Sequence, residues 1–197
     1  MRVVFLPGAA GSSAFWQPLS RLLPADWDRT LLDWPGLGDV PPSPEVNGFD
    51  DLVRLTLAVI DGPVDLVAQS MGGVVALRVA LERPDLVRRL VLVATSGGLD
   101  LKRFGASDWR DDYVRQHPAA RRFIVEQRPD LTGRLSGVRM PTLLVWGDTD
   151  PISPLAVGRH LADLLPRAEL VVIPGGNHAL ARDRAREIAP HVLRHLA

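Results

Sequence analysis

The feature that most constrains the fold is a series of short runs of Val, Leu and Ile that polar residues hardly interrupt. Such runs are typical of strands buried on both faces, as in the parallel sheet of an α/β protein. Segments with helical periodicity separate the runs, so strands and helices are predicted to alternate. The predicted strands are 3–6, 30–32, 64–68, 90–94, 142–146 and 170–173, and the predicted helices are 14–23, 50–60, 71–82, 154–165 and 183–196.

The chain has 197 residues, of which 46% are hydrophobic and 23% charged, and these values predict one globular domain over 1–197. The connection between the fourth and fifth predicted strands is far longer than an ordinary crossover. We therefore expect the segment 96–140 to hold a short inserted lid of one or two amphipathic helices over the edge of the sheet. A surface excursion is the alternative.

Composition excludes several classes of function. The chain has 23 basic and 23 acidic residues, a balance that argues against a nucleic-acid partner. It has no cysteine, which excludes disulfides, thiolate metal sites and a cysteine nucleophile. No apolar run has the length of a secretory signal or of a membrane span, so a cytoplasmic protein without a membrane span is predicted. Its oligomeric state is not predicted.

One serine lies where a strand is predicted to turn into a helix, in the stretch Val67-Ala68-Gln69-Ser70-Met71-Gly72-Gly73. Small residues two positions before and after this serine, Ala68 and Gly72, permit a tight turn with strained dihedrals at its centre. Such a turn exposes a hydroxyl beside the free N–H groups of a helix start. Ser70 is therefore a candidate nucleophile, and a helix-capping serine is the alternative.

The stretch around Ser70 resembles the nucleophile elbow of the α/β-hydrolase family, G-x-S-x-G, with Ala68 in place of the first glycine. The segment 146–154 resembles the acid loop of the family, W-G-x-x-D-x-x-x-P, and the match implies that Asp150 is the catalytic acid. On the residues alone, Asp148 and Asp150 are not separated. A turn or capping aspartate is the alternative for Asp150.

A histidine base is expected after a later strand, and among the five histidines His178 follows a predicted strand and a glycine-rich loop. The chain order Ser70, Asp150, His178 matches the family order. His191 and His195 are spaced for metal binding on the last predicted helix, but we expect surface residues there and no metal site. The remaining histidines, in the insertion and on a predicted helix, are expected to be solvated or packed: His117 and His160.

The segment 6–13 resembles the family loop H-G-x-x-G-S-S, with Pro7 in place of histidine. The match implies an oxyanion hole formed by the backbone N–H groups of Ala9 and Met71. The segment 32–39 resembles the family turn D-x-P-G-x-G-x-S, to which a structural role is assigned. The resemblance also implies a doubly wound, mostly parallel six-stranded sheet with helices on both faces, lacking the hairpin that normally begins the family fold.

The resemblance implies a carboxylesterase-like serine hydrolase that cleaves a small carboxylic ester or thioester through an acyl-enzyme, without a cofactor. Alternatives are a perhydrolase or carbon–carbon hydrolase with the same triad, and a ligand sensor or partner-binding protein with little turnover. An acyl carrier thioesterase would need a basic patch near the entrance, although a solvated face is the simpler interpretation of the arginines there. The candidate arginines are Arg103, Arg110, Arg115, Arg121 and Arg122.

The substrate pocket is the least constrained part of the prediction. Aromatic and polar side chains near the predicted site are candidates for its walls, with ordinary core packing as the alternative. A short lid predicts an open site that prefers small or medium acyl chains. The candidate pocket residues are Phe15, Trp16, Gln69, Trp109 and Phe123.

Overall fold

The computed structural model describes residues 1–197 and contains a six-stranded sheet in which every neighbouring pair is parallel. The sheet order is β2-β1-β3-β4-β5-β6. The predicted fold class and the predicted number of strands are confirmed. The strands are β1 (Arg2–Leu6), β2 (Asp28–Leu31), β3 (Val64–Gln69), β4 (Val87–Val93), β5 (Thr142–Gly147) and β6 (Ala168–Ile173).

Eight α-helices and four short 3-10 helices connect the strands. The predicted helix 14–23 is a 3-10 turn followed by a single short helix, and Pro18 lies in the first turn of that helix, where its missing N–H cannot continue a helix from residue 14. The predicted helix 183–196 is interrupted at Arg184. The α-helices are α1 (Gln17–Ser20), α2 (Phe49–Ala58), α3 (Met71–Glu82), α4 (Arg110–Gln116), α5 (Phe123–Glu126), α6 (Leu155–Leu164), α7 (Leu180–Asp183) and α8 (Ala185–Leu196).

The sheet separates two hydrophobic cores because successive side chains of a strand point to opposite faces. Along β1, Val4 and Leu6 belong to the larger core, which α2, α3 and α6 cover. Val3 and Phe5 belong to the smaller core, which α1, α7 and α8 cover. No helix combines the length and the apolar character needed to cross a bilayer.

The segment 96–140 contains α4 and α5 and packs against the larger core. Two backbone hydrogen bonds tie it to the body of the protein. The Arg121 N–H donates to the carbonyl of Gly36, and the Ser107 N–H donates to the carbonyl of Pro151, each at 2.7 Å. The segment therefore bridges the loop after β2 and the loop after β5.

The strand order reverses between β1 and β3, which lie side by side with Leu6 opposite Ala68. The chain leaves β1 toward β2 on one side and returns to β3 on the other. In open α/β sheets, the loops at the carboxyl ends of such strands part and form a ligand crevice. The loops after β1 and β3 carry the segment 6–13 and Ser70.

Candidate active site

Ser70 forms a strained turn between β3 and α3. Its φ of 53° is positive, a conformation that residues other than glycine rarely adopt. Three hydrogen bonds hold this backbone. The Ser70 N–H donates to the Val93 carbonyl at 2.9 Å, and the Ser70 carbonyl accepts from the Thr95 hydroxyl at 2.6 Å and from the Gly73 N–H at 3.0 Å. A side chain at Gly72 would clash with the backbone carbonyl of Leu6, which explains the glycine at this position.

The three side chains predicted to act together lie in one hydrogen-bonded row. His178 Nε2 is 2.9 Å from Ser70 Oγ, and His178 Nδ1 is 2.8 Å from Asp150 Oδ2. The Asp150 side chain is fully buried, and its other oxygen accepts hydrogen bonds from the N–H groups of Ile152 and Ser153. A buried carboxylate held by two backbone donors fixes the orientation of the imidazole.

The two aspartates of the acid loop differ in their contacts. Asp148 is exposed and accepts a hydrogen bond from the Gly175 N–H at 2.6 Å, so it shapes the loop that carries the histidine. Asp150 alone contacts His178. The geometry thus separates two residues that the sequence left as alternatives.

Backbone contacts fix the loop that presents His178. Gly175 has a positive φ of 68°, and the Asn177 side chain accepts a hydrogen bond from the Ala179 N–H. Gln69, which is 5% exposed, donates from its Nε2 to the His178 carbonyl at 3.1 Å. Gln69 therefore positions the loop that carries His178. It was predicted to line the substrate pocket, but it does not line the cavity.

The loop after β1 lies against Ser70. A Cβ added at Gly8 would be 3.1 Å from Cβ of Ser70 and would displace the end of the Gln69 side chain, so the glycine favours this close approach. The buried Trp34 Nε1 donates to the Pro7 carbonyl at 2.7 Å. The N–H groups of the predicted oxyanion donors, Ala9 and Met71, donate no hydrogen bond within the protein. One free donor, at Met71, thus follows Ser70 directly in the chain, and the other, at Ala9, lies on the loop that approaches Ser70.

A cavity of about 580 Å³ opens beside Ser70 and His178. The insertion and α3 supply much of its apolar wall. Of the five predicted pocket residues, only Trp109 lines this cavity. Apolar lining residues include Phe49, Met71, Val74, Leu99, Leu101, Trp109, Ile124 and Ile152.

Three aromatic residues that were predicted to line the pocket lie in the hydrophobic cores instead: Phe15, Trp16 and Phe123. Trp16 is fully buried in the smaller core, on the opposite face of the sheet, where its ring is 5.6 Å from that of Phe5. Phe15 packs against the same core, because the 3-10 turn directs both rings toward it. Phe123 packs edge-on against Phe49 at 6.0 Å within the larger core. These side chains serve packing.

The five candidate arginines of the insertion have different partners. Arg110 pairs with Asp108, and Arg115 pairs with Asp112. The remaining three bind other partners: Arg103 contacts His160, Arg121 donates to the Ser43 carbonyl, and Arg122 lies 3.9 Å from Glu126.

The histidines other than His178 lie away from Ser70. His117 pairs with Asp39 at 3.0 Å, and His160 contacts Arg103. His191 and His195 are half-buried rather than on the open surface as predicted, and burial lowers the pKa of His195. No group of three or more His, Cys, Asp or Glu side chains is arranged to hold a metal ion.

The sequence did not predict a polar link between the turn at Ser70 and the loop after β5. The Ser153 hydroxyl donates to the Thr95 carbonyl at 3.1 Å, and the Thr95 hydroxyl donates to the Ser70 carbonyl. The Trp146 indole donates to the Ser153 carbonyl at 3.0 Å. Ser153 belongs to the acid-loop motif and could have been suspected, whereas Thr95 carries no signal in the sequence.

Comparison with known proteins gives consistent matches. Residues 3–134 match a family model described as the alpha/beta hydrolase family, and residues 109–184 match one described as the alpha/beta hydrolase fold. A pimeloyl-[acyl-carrier protein] methyl ester esterase of Neisseria meningitidis serogroup B is 29% identical and is matched over 90% of this chain and 86% of its own.

Two further matches extend over nearly the whole chain. A putative carbamate hydrolase RutD of Rhizobium rhizogenes is 25% identical, over 98% of this chain and 92% of its own. The crystal structure of a hydrolase from Pseudomonas aeruginosa superimposes with a TM-score of 0.81 at 20% identity, covering 100% of this chain and 89% of that one. These two relatives are thus an esterase and a putative carbamate hydrolase, and the solved structure shares the fold.

Proposed function

Because the chain belongs to the alpha/beta hydrolase family, we propose that it is a serine hydrolase that cleaves a carboxylic ester or thioester through an acyl-enzyme. One observation carries the proposal: the unbroken row of hydrogen bonds from Ser70 through His178 to the buried Asp150. A serine hydroxyl is a poor nucleophile until a base accepts its proton and a carboxylate orients that base. This row contains all three groups in contact.

The reaction begins when Ser70 Oγ attacks the substrate carbonyl while His178 Nε2 accepts its proton. Asp150 holds the imidazole in place and stabilises its charged form. The backbone N–H groups of Ala9 and Met71 donate to the oxyanion of the tetrahedral intermediate. Each such donor stabilises the transition state by about 3 kcal/mol in enzymes where it has been removed. His178 then protonates the leaving group, and the acyl group remains on Ser70.

Deacylation repeats these steps with water as the nucleophile. His178 accepts a proton from water, the oxyanion forms again at the same donors, and Ser70 leaves with the returned proton. The apolar wall formed by Met71, Val74 and Ile124 favours a hydrocarbon acyl group. In this proposal the segment 96–140 acts as the lid of the site. Every proton and charge in these steps is handled by the chain itself, so the reaction requires no cofactor.

The names of the curated relatives support cleavage at an ester or a related carbonyl group. One is a methyl ester esterase and another a putative carbamate hydrolase. A serine at position 70 and two free backbone donors beside it suit acyl transfer to and from an oxygen nucleophile. The proposed substrate is therefore a small-molecule ester or thioester.

The test is hydrolysis of p-nitrophenyl acetate and butyrate by the wild type, Ser70→Ala and His178→Ala. Each variant should lose at least about a thousandfold in kcat, because the members of a triad act as a unit. Ser136→Ala and His160→Ala, which alter residues away from Ser70, should retain wild-type kcat within about twofold. Absence of turnover by the folded wild type would contradict the proposal and favour a sensor or binding protein.

A further inference from the structure

The chain contains a single tyrosine, Tyr113, and helix α4 of the insertion carries it to the oxyanion loop. Its hydroxyl donates to the Ala9 carbonyl at 2.8 Å and accepts a hydrogen bond from the Gly38 N–H, also at 2.8 Å. A tyrosine hydroxyl has one proton to donate and lone pairs to accept with, so both of its capacities are used. Tyr113 is thus a polar bridge between three segments that are distant in sequence.

The hydrogen bond from Tyr113 helps to fix the orientation of the backbone at Ala9. The Gly11 N–H donates to the Gly8 carbonyl at 3.0 Å, which orients the peptide plane between Gly8 and Ala9. Because a trans peptide is planar, the Ala9 N–H points away from that carbonyl. The next plane, between Ala9 and Ala10, is oriented by the bond from Tyr113. Both planes that meet at Cα of Ala9 are therefore fixed, one within the loop and one by the insertion.

The loop after β2 packs against the loop that contains Ala9. Gly38 has a positive φ of 54°, and any side chain on it would clash with the Ala10 carbonyl. The Trp34 N–H donates to the Gly11 carbonyl at 2.7 Å. The two loops thus pack backbone against backbone, and Tyr113 joins both of them to the insertion.

The surroundings of Tyr113 suit a fixed, protonated hydroxyl. Its side chain is buried, with the Trp109 ring at 5.5 Å edge-on and the His117 ring at 5.0 Å. Burial raises the pKa of the Tyr113 phenol, an effect that the hydrogen bond from the Gly38 N–H partly opposes and Asp39 slightly reinforces, so the proton that donates to Ala9 is retained near neutral pH.

We propose that Tyr113 is a positioning residue for the oxyanion donor Ala9, so that the insertion takes part in catalysis by orienting a backbone N–H. This inference rests on the proposed function. It differs from a packing role, because a packing role predicts only a loss of stability. A positioning role predicts that loss of the hydroxyl weakens stabilisation of the transition state and leaves binding of the ground-state ester unchanged.

The experiment compares the wild type, Tyr113→Phe and Asp39→Ala. Asp39→Ala is the matched control, since it removes the contact between the same loop and His117 at the end of α4 but leaves the Tyr113 hydroxyl in place. The readouts are kcat and KM for p-nitrophenyl butyrate and Ki for an alkyl trifluoromethyl ketone. Addition of Ser70 Oγ to this ketone gives a hemiketal whose oxygen occupies the oxyanion position.

Tyr113→Phe should lower kcat and raise Ki about tenfold each, with KM within twofold. Complete loss of an oxyanion donor costs about a hundredfold to a thousandfold, and a misdirected donor costs part of that. Asp39→Ala should leave all three values within twofold. Equal effects of the two variants, or unchanged kcat and Ki in Tyr113→Phe, would overturn the inference. A folded wild type that neither cleaves the ester nor binds the ketone would instead overturn the proposed function, and this inference with it.

A second measurement serves if Tyr113→Phe does not fold. Because Tyr113 is the only tyrosine, 3-fluorotyrosine labels this position alone and retains the hydroxyl. Its ¹⁹F resonance should shift when the trifluoromethyl ketone adds to Ser70, since the oxyanion accepts from the Ala9 N–H and Tyr113 contacts the carbonyl of the same residue. A resonance that does not move on saturation with the ketone would overturn the inference.

Discussion

Thr95→Val removes the hydroxyl that links the nucleophile turn to its surroundings while keeping the shape of the side chain. Thr95 is 0% exposed, its hydroxyl donates to the Ser70 carbonyl at 2.6 Å, and it accepts a hydrogen bond from the Gly97 N–H at 3.1 Å. The Ser70 carbonyl keeps a second bond, from the Gly73 N–H at 3.0 Å. The buried Gly97 N–H has no other acceptor in the protein.

The magnitude follows from these contacts. Loss of the bond to Ser70 costs about 1 kcal/mol, and the orphaned Gly97 N–H costs about 1–3 kcal/mol. The added methyl group offsets about 0.8 kcal/mol. The free energy of unfolding should therefore fall by about 2 kcal/mol. Because the strained dihedrals of Ser70 are then less well held, kcat should also fall about tenfold with little change in KM.

Thr56→Val is the matched control. Thr56 is also 0% exposed, and its hydroxyl donates to the Leu52 carbonyl at 2.8 Å within α2, far along the chain from the site. That carbonyl lies inside the helix and retains its ordinary backbone bond, so this variant should lose less than about 1 kcal/mol. Urea denaturation and hydrolysis of p-nitrophenyl butyrate measure both effects. Equal losses of stability in the two variants, with unchanged kcat in Thr95→Val, would refute the reasoning.

Three further predictions concern the acid, the acyl group and pH. Asp150→Asn should lower kcat about ten-thousandfold, whereas Asp148→Asn should change it only a few-fold; similar losses in steady-state assays would contradict the assignment. The open apolar cavity should give a higher kcat/KM for p-nitrophenyl butyrate than for the palmitate, and the reverse order would refute this. Burial, and to a smaller extent Arg89, lower the pKa of His195 below its ordinary value of 6.5, an effect that Glu169 and backbone hydrogen bonds partly oppose. The unfolded chain therefore binds more protons than the folded one at low pH. The free energy of unfolding of the wild type, relative to that of His195→Gln, should be highest above pH 6.5 and should decline as the pH falls. Urea denaturation at pH 7.5 and 5.0 measures this difference, and equal values at the two pH values would contradict the prediction.

Much of the fold could be predicted because strands that are buried on both faces of the sheet appear in the sequence as continuous apolar runs. β3 and β5 begin at their predicted residues and α3 has its predicted bounds, since Ser70 and Gly72 mark its start. The helix predicted at 14–23 was too long, because hydrophobic periodicity does not take account of Pro18, which lacks the N–H that a continuous helix needs.

The site could be predicted in part, and the limit is physical. Ser70 and His178 each follow a strand, so topology alone brings them to one edge. Asp148 and Asp150 follow the same strand, and only the turn geometry decides which one meets the histidine. Tyr113 makes contacts 75 and 104 residues away along the chain, which no local pattern encodes.

The most direct test of the account is to identify the residue that reacts with a fluorophosphonate. The wild type is incubated with the reagent, digested and analysed by mass spectrometry, alongside Ser70→Ala and Ser136→Ala. The account predicts one label per chain, on Ser70, in the wild type and in Ser136→Ala, and none in Ser70→Ala. A folded wild type that remains unlabelled, or a label on another residue that persists in Ser70→Ala, would contradict the account.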